Sequence, residues 1–374
     1  MTDQEKIAVC ILCDEAASLF EGGEDLPRFG GAGLHMYLLG QGLAQNPRYE
    51  VSFVLNYTSA DTLSDPNISF IDLRKHRHSI LSRLKGAGTP RAYDHLPKKR
   101  VFITTMADFA PHMLREAGRA GAPTIFQTAC EHDVTHPYER SEEDGAALID
   151  DIASCDEVFV QSETQQRNLL ESRNKQSQVV HKGWPLPDKL PGMEEKKGIL
   201  WVGSAQMVKQ PWVLFDVARL MPDQPFTAIM PPADKQVTDY AHRQVRELDN
   251  VTLIDTQVSY PRIQDYFDKA LIYLFTSEFE DAASLTIIQA AAGGAAIVSE
   301  RMNPDGMLDE DRCGIHAGVG ADSVVAAIRR VLADDELRTS MIENAFAFVQ
   351  KNFSFQDMID IYTKTIDALV EDAL

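Results

Sequence analysis

The chain has 374 residues, more than one hydrophobic core usually serves, so two domains are expected. Its 44% hydrophobic content is that of a globular protein, and a formal net charge of -20 leaves no general basic face for duplex nucleic acid. Five cysteines exclude a fully paired framework, and Cys10 and Cys13, three apart in a strand, point to opposite faces, which argues against a redox pair and for reduced core thiols. The first residues, MTDQEK, pass straight into a strand with no basic leader, and no long apolar run follows, so neither a signal peptide nor a membrane span is expected and the protein reads as cytoplasmic.

Lys6 to Cys13 (KIAVCILC) is an aliphatic run of strand length that suits a central parallel strand buried on both faces, ended by Asp14-Glu15. A loop then reaches Arg28-Phe29-Gly30-Gly31-Ala32-Gly33 and opens a helix, LHMYLLGQGLAQ, before a second strand from Tyr49 to Asn56. Glycines between a strand and a helix let backbone approach an anion closely; they also serve any tight loop that needs positive φ.

Between Lys75 and Arg100 the composition changes sign. Lys75, Arg77, Arg83, Lys85, Arg91, Lys98, Lys99 and Arg100 stand against Asp94 alone, with His76, His78 and His95 in the same window. With Ile80, Leu81 and Leu84 interleaved, the segment fits docking on an anionic membrane surface at roughly 1 kcal/mol per basic residue. It fits equally a solvated basic face or one that attracts a phosphorylated acceptor.

Val101 to Thr105 and Thr124 to Thr128 read as strands around a helix from Ala110 to Ala120. The second runs into Cys130-Glu131-His132-Asp133, at the end of the sheet where open α/β folds hold ligands, which makes His132 a candidate for the reaction centre, with a surface histidine as the alternative. His132 and His136 as a metal pair is a weaker reading, because the intervening residues do not read as a helix. Ala153 to Ser162 is a helix end and a strand, and the next helix starts at Glu163.

Trp184 to Gly198 (WPLPDKLPGMEEKKG) has three prolines and no apolar periodicity, the composition of an exposed linker. A second alternation follows: strand Ile199 to Gly203, helix Pro211 to Leu220, strands Phe226 to Met230 and Val251 to Asp255, helix Ile263 to Ala270, strand Leu271 to Thr276. Then comes TSEFEDAASLTIIQAAAGGAAIVS, Thr276 to Ser299: an acidic turn, an N-cap at Ser284, a helix ended by Gly293-Gly294, and a buried strand. The helix start is a ready phosphate site, and Asp281 and Gln289 beside it are side chains for hydroxyl groups. Phosphate with hydroxyls points to a nucleotide-sugar. Ser323 to Ala333, Leu337 to Gln350 and a last segment from Asn352 onward have helical periodicity.

In order and spacing these motifs resemble the retaining glycosyltransferases of family 4, enzymes of the GT-B fold. PRFGGAGLHMYLLGQGLA is similar to that family's Gly-Gly loop beside the donor diphosphate, through Gly30 and Gly31. Cys130-Glu131-His132-Asp133 is similar to its His-Asp site. Gly203-Ser204-Ala205-Gln206-Met207-Val208-Lys209 matches Gly-Arg-x4-Lys, with Lys209 kept and Ser204 in the place of the arginine. The family's Glu-x7-Glu reads here Asp281-x7-Gln289, and the glycine and phenylalanine after the first acid are Ala282 and Ala283.

The resemblance implies α/β architecture: two Rossmann-like domains facing a cleft, an acceptor domain over 1–183, a linker over 184–198, a nucleotide-sugar domain over 199–352, and a terminal helix over 353–374 that crosses back to the first domain. It implies retaining hexosyl transfer to an acceptor hydroxyl from a UDP- or GDP-sugar without an obligatory cofactor or metal. The acceptor is a sugar, lipid or small molecule, with possible peripheral contact at the inner membrane face through 75–100. Asp281 and His132 are the implied catalytic groups; Gly30, Gly31, Ser204, Lys209, Ala282, Ala283, Ser284, Leu285 and Gln289 are the implied donor contacts. Losing one charged hydrogen bond at Ser204 costs about 1.5–3 kcal/mol, roughly ten- to a hundredfold in affinity. Because Ser204, Asp281 and Gln289 all depart at donor positions, a non-catalytic paralogue acting as a binding or regulatory subunit stays open. A GT-B enzyme of other chemistry, such as an epimerase, is disfavoured by the family-like spacing.

Overall fold

A computed structural model describes residues 6–21, 29–76, 92–135, 142–192, 196–278, 284–309 and 312–372. Its chain forms two compact units, one built from the N-terminal half with the last helix, the other running from Trp184 to Phe355.

The first unit holds a seven-stranded sheet: β1 (Ile7–Leu12), β2 (Tyr49–Leu55), β3 (Ile68–Asp72), β4 (Arg100–Thr104), β5 (Thr124–Gln127), β6 (Glu157–Val160) and β7 (Gln178–Val179). They pair in parallel in the order β3-β2-β1-β4-β5-β6-β7. All six side chains of β1 are buried, as its unbroken aliphatic run requires of a strand covered on both faces. Helices α1 (Gly31–Leu43), α2 (Ala110–Ala120), α3 (Glu142–Ala153) and α4 (Glu163–Arg173) connect the strands. Gly121, at φ 62°, ends α2 in the left-handed conformation. Cys10 and Cys13 are buried free thiols whose pKa burial pushes up to about 12, so they act as core residues.

The second unit holds six parallel strands: β8 (Ile199–Val202), β9 (Phe226–Ile229), β10 (Val251–Ile254), β11 (Ile272–Phe275), β12 (Ala296–Ser299) and β13 (Gly314–His316), in the order β10-β9-β8-β11-β12-β13. Helices α5 (Pro211–Leu220), α6 (Lys235–Gln244), α7 (Tyr260–Lys269), α8 (Leu285–Gly293), α9 (Ala321–Ala333) and α10 (Asp335–Asn352) complete it. Both sheets therefore have Rossmann-like doubly wound topology, reversing direction between β1 and β4 in one and between β8 and β11 in the other.

Helix α11 (Phe355–Asp372) packs on the first unit. The Tyr362 hydroxyl donates to Gln127 Oε1 at 3.0 Å, its ring meets Phe159 edge-on at 4.9 Å, and Asp367 accepts from Tyr49 and Arg48.

Three elements absent from the sequence reading are β3, α6 and β13. The stretch expected as an exposed linker is partly buried. Trp184 is 3% exposed, stacks edge-on with Tyr260 at 5.5 Å and bridges Ser354. Lys196 turns inward and donates to the backbone carbonyls of Asp268 and Gly293, so its ammonium closes the C-terminal ends of α7 and α8; burial lowers its pKa. The two basic residues that bound the segment both have partners. Lys75 pairs with Asp61 at 2.5 Å, and the Arg100 guanidinium donates to the carbonyls of Tyr93, Leu96 and Pro97. Residues 77–91 lie outside those described.

Candidate functional site

In the second unit, the point where strand order reverses is the exit of β8, facing the exit of β11. Gly203 follows β8 because the Trp201 indole folds beneath it: a Cβ there would lie 2.9 Å from the ring and 3.4 Å from Lys209 Cγ. Trp201 is 2% exposed, and its Nε1 donates to Thr276 Oγ1 at 2.8 Å. Thr276 Oγ1 in turn donates to the Lys209 carbonyl at 2.7 Å, and the Glu278 amide to the Val208 carbonyl at 2.8 Å. The short helical turn Met207–Lys209 is thereby fastened to the end of β11 by two hydrogen bonds. The next residue, Gln210, is 3% exposed and holds φ 46° and ψ 55°, a left-handed conformation that costs a non-glycine residue about 1–2 kcal/mol. It reverses the chain into α5, where Pro211 occupies the first turn. The strain falls directly after the lysine.

Ser204 Oγ donates to Gln206 Oε1 at 3.0 Å, so the hydroxyl in the arginine's place is engaged locally. Asp281, Ala282 and Ala283 lie outside the described residues. Ser284 is the N-cap residue of α8, as expected, yet its hydroxyl lies 3.0 Å from Thr286 Oγ1 and makes no cap to the backbone; the first turn carries no acid. The helix dipole and first-turn N–H groups at Leu285 are left without a side-chain anion of their own helix. Gln289, one turn further on, is 3% exposed, and its Nε2 is buried with no hydrogen-bond partner among the described residues. Its backbone carbonyl accepts from Gln264 Nε2 at 3.2 Å, which also donates to Asp268 Oδ1 at 2.9 Å. A buried amide N–H left unpaired costs about 1–3 kcal/mol, and a ligand that supplies the acceptor recovers it.

The corresponding reversal in the first unit has the opposite charge. Asp14, at the exit of β1, accepts the amides of Asn56, Tyr57 and Thr58 at 2.9–3.1 Å and fixes the loop after β2. Glu15 lies against the start of α1. A Cβ on Gly33 would come within 2.7–2.9 Å of the Glu15 backbone and Cβ, which is why glycine stands there, and one on Gly30 would lie 3.1 Å from Glu15 Oε2. Gly30 is the N-cap residue and Gly31 opens the helix, so the Gly-Gly loop sits at a helix start as expected, but with a carboxylate beside it. His35, one turn on, is fully buried with both ring nitrogens unpartnered among the described residues; burial first, and the nearby Lys182 charge second, lower its pKa to about 3. His132 lies half-buried in the turn Glu131–Asp133 after β5, where Asp133 Oδ2 accepts the Ala129 and Cys130 amides.

The second-unit candidates Lys209 and Ser204 thus share one loop, tied to the strand that leads towards Ser284, Leu285 and Gln289. Gly30, Gly31 and His132 belong to the other sheet. Sequence reasoning missed Thr276, Trp201 and Glu15; a threonine closing the apolar run of β11 was the available signal for the first.

Residues 186–348 match the family described as Glycosyl transferases group 1. No curated protein matches the chain in sequence. Among solved structures, sucrose-phosphate synthase from Thermosynechococcus elongatus is similar with a TM-score of 0.74 and 16% identity, over 97% of this chain and 100% of that one. HepE from Anabaena in complex with UDP-glucose gives 0.71 and 12%, over 96% and 99%. S. aureus TarM in complex with UDP and sugar ligands gives 0.60 and 14%, over 72% of this chain and 55% of that one. The fold is that of GT-B glycosyltransferases, and the family match over the second unit supports a glycosyltransferase.

Proposed function

We propose that the protein transfers a hexosyl group from a nucleoside-diphosphate sugar, a UDP- or GDP-sugar, to an acceptor hydroxyl with retention at the anomeric carbon. The second unit holds the donor and the first the acceptor. Lys209, Ala282, Ala283 and the start of α8 at Ser284 and Leu285 meet the diphosphate and stabilise the charge that develops as it leaves, the kind of preorganised electrostatics that usually contributes most to such catalysis. The Gly30-Gly31 loop adds backbone N–H groups. Asp281 binds the sugar hydroxyls, Gln289 the ribose, and His132 lines the sugar site; these roles rest on the family resemblance. Carrying the reading is one observation: the Lys209 turn is locked through Thr276 and Val208 to the β11 exit, inside the stretch that matches the glycosyl transferases.

Ser204 favours a second reading, a binding or regulatory subunit, because its hydroxyl is turned to Gln206 and supplies no charge to a phosphate. Calorimetry with UDP, GDP, ADP, CDP and dTDP and their sugars tests both. One nucleotide is expected to bind, and Lys209→Ala to weaken it about ten- to a hundredfold. No binding to the folded protein at millimolar concentration sinks the transferase; binding of a nucleotide-sugar that is never turned over, with or without acceptor candidates, favours the subunit.

A further inference from the structure

We propose that the second unit carries a further binding site, for a small phosphate monoester, at the edge of its sheet opposite the one from which Gly203 and Lys209 emerge. It does not depend on the donor reading. A cavity of about 220 Å³ opens where β8 and β9 begin and α7 ends, with Lys197, Gly198, Pro225, Thr227, Tyr266 and Lys269 in its walls. Both lysines are exposed, and among the described residues neither ammonium has an ion-pair or hydrogen-bond partner. No acidic side chain lines the cavity, although the chain as a whole carries a net charge of -20. The Lys197 amide donates to the Lys269 carbonyl at 3.0 Å, so the two cations start from hydrogen-bonded neighbours. Like charges placed side by side are destabilising, and an anion between them turns the repulsion into two attractions.

The end of a helix ordinarily repels an anion through its free carbonyls, but those of α7 are taken. The carbonyls of Tyr266 and Phe267 accept the Ala270 amide, that of Asp268 the Lys196 ammonium, and that of Lys269 the Lys197 amide. The floor is built as well: the Gly198 carbonyl accepts the Leu271 and Ile272 amides at 3.2 Å, and Gly198 holds φ 72°, where a Cβ would lie 3.0 Å from the Pro225 carbonyl oxygen. Wall chemistry then sets the ligand class. Two ammonium groups match the nearly double charge and several acceptor oxygens of a phosphate monoester. Thr227 and Tyr266 add hydroxyls that make no hydrogen bond among the described residues, and the Tyr266 ring with Pro225 offers an apolar surface to the ester's carbon body. The cavity volume lies below the roughly 300–1,000 Å³ of sites for drug-sized ligands, which leaves room for one phosphate on a small body and not for a nucleoside-diphosphate sugar.

The test is calorimetric titration of the full chain, near neutral pH, with the anomeric and primary monophosphates of glucose, glycerol phosphate and phenyl phosphate, and with glucose and inorganic phosphate for comparison. At least one ester is expected to bind more tightly than glucose or inorganic phosphate. Lys197→Gln and Lys269→Gln should each weaken it about tenfold, Lys269→Arg should keep it within a few-fold, and Lys209→Ala should leave it unchanged. Because both lysines are exposed, these variants are expected to fold. Absence of ester binding to the folded protein at millimolar concentration overturns the inference. So does binding that Lys209→Ala removes and the glutamine variants keep, or glucose or inorganic phosphate binding as tightly as every ester. The donor reading is judged separately, by nucleotide affinity, which the two glutamine variants should leave unchanged.

Discussion

The two α/β units share one strand order and differ in what they place where that order reverses. At the β1 exit stand Asp14, spent on clamping the loop after β2, and Glu15, lying against the start of α1. At the β8 exit stand a glycine over a buried tryptophan and a lysine fastened to the end of β11. Shared topology puts both at the crevice where open α/β sheets take ligands; among the described residues the second exit presents Lys209, whereas the first presents Asp14 and Glu15. On the proposed function, topology locates the sites and side-chain charge divides the labour between them.

The largest expected effect concerns the first unit under acid. His35 is neutral and buried in the folded protein, with a pKa near 3 against an ordinary 6.5. The unfolded chain therefore binds a proton that the folded chain refuses between these values, and stability is lost as pH falls below 6.5. The contribution is about 1.4 kcal/mol per pH unit, or about 3 kcal/mol by pH 4. Denaturant unfolding of wild type and His35→Gln over this range should show the wild-type slope steeper by close to one proton; equal slopes would show that His35 finds a partner in solution.

A matched pair of glycine substitutions sharpens the contrast. Gly33→Ala presses a methyl into the Glu15 backbone, and about 1–3 kcal/mol of stability should be lost with little change in nucleotide affinity. Gly203→Ala presses on the Trp201 ring and the Lys209 stem, so stability and nucleotide affinity should fall together. Chemical denaturation beside calorimetry separates the two outcomes, and equal affinity losses would erase the division proposed between the units. The smallest effect is expected for Glu15→Gln. If the Gly30-Gly31 loop meets the diphosphate, removing an exposed carboxylate from beside it should tighten nucleotide binding by no more than a few-fold, more at low salt than at high. Weaker binding would mean that Glu15 itself contacts the donor.

Much of this was legible in the residues. The buried, mostly apolar runs of β1, β11 and β12, and the Gly293-Gly294 stop after α8, gave strands and a helix close to where they lie, because burial on two faces leaves little freedom in composition. Elements with weak patterns escaped. Val237, Tyr240 and Ala241 give α6 a single i, i+3, i+4 triplet among polar residues, and β13 has three residues, so both patterns are short. The proline-rich stretch from Trp184 looked solvated, yet Trp184 and Lys196 are drawn inward by partners distant in sequence, Tyr260, Asp268 and Gly293.

What the sequence determined by itself was the alternation of strands and helices, hence two parallel sheets, and the residue types offered at their ends: Lys209, Gln289, Gly30, Gly31 and His132. Tertiary structure decided which of these share a loop or a sheet. Thr276 joins Trp201 to Lys209 across 75 and 67 residues of chain, and Glu15 meets Gly33 only after β1 and α1 have packed. Local pattern reports how each segment buries its own apolar face; it holds no record of which polar groups that burial brings within hydrogen-bonding reach.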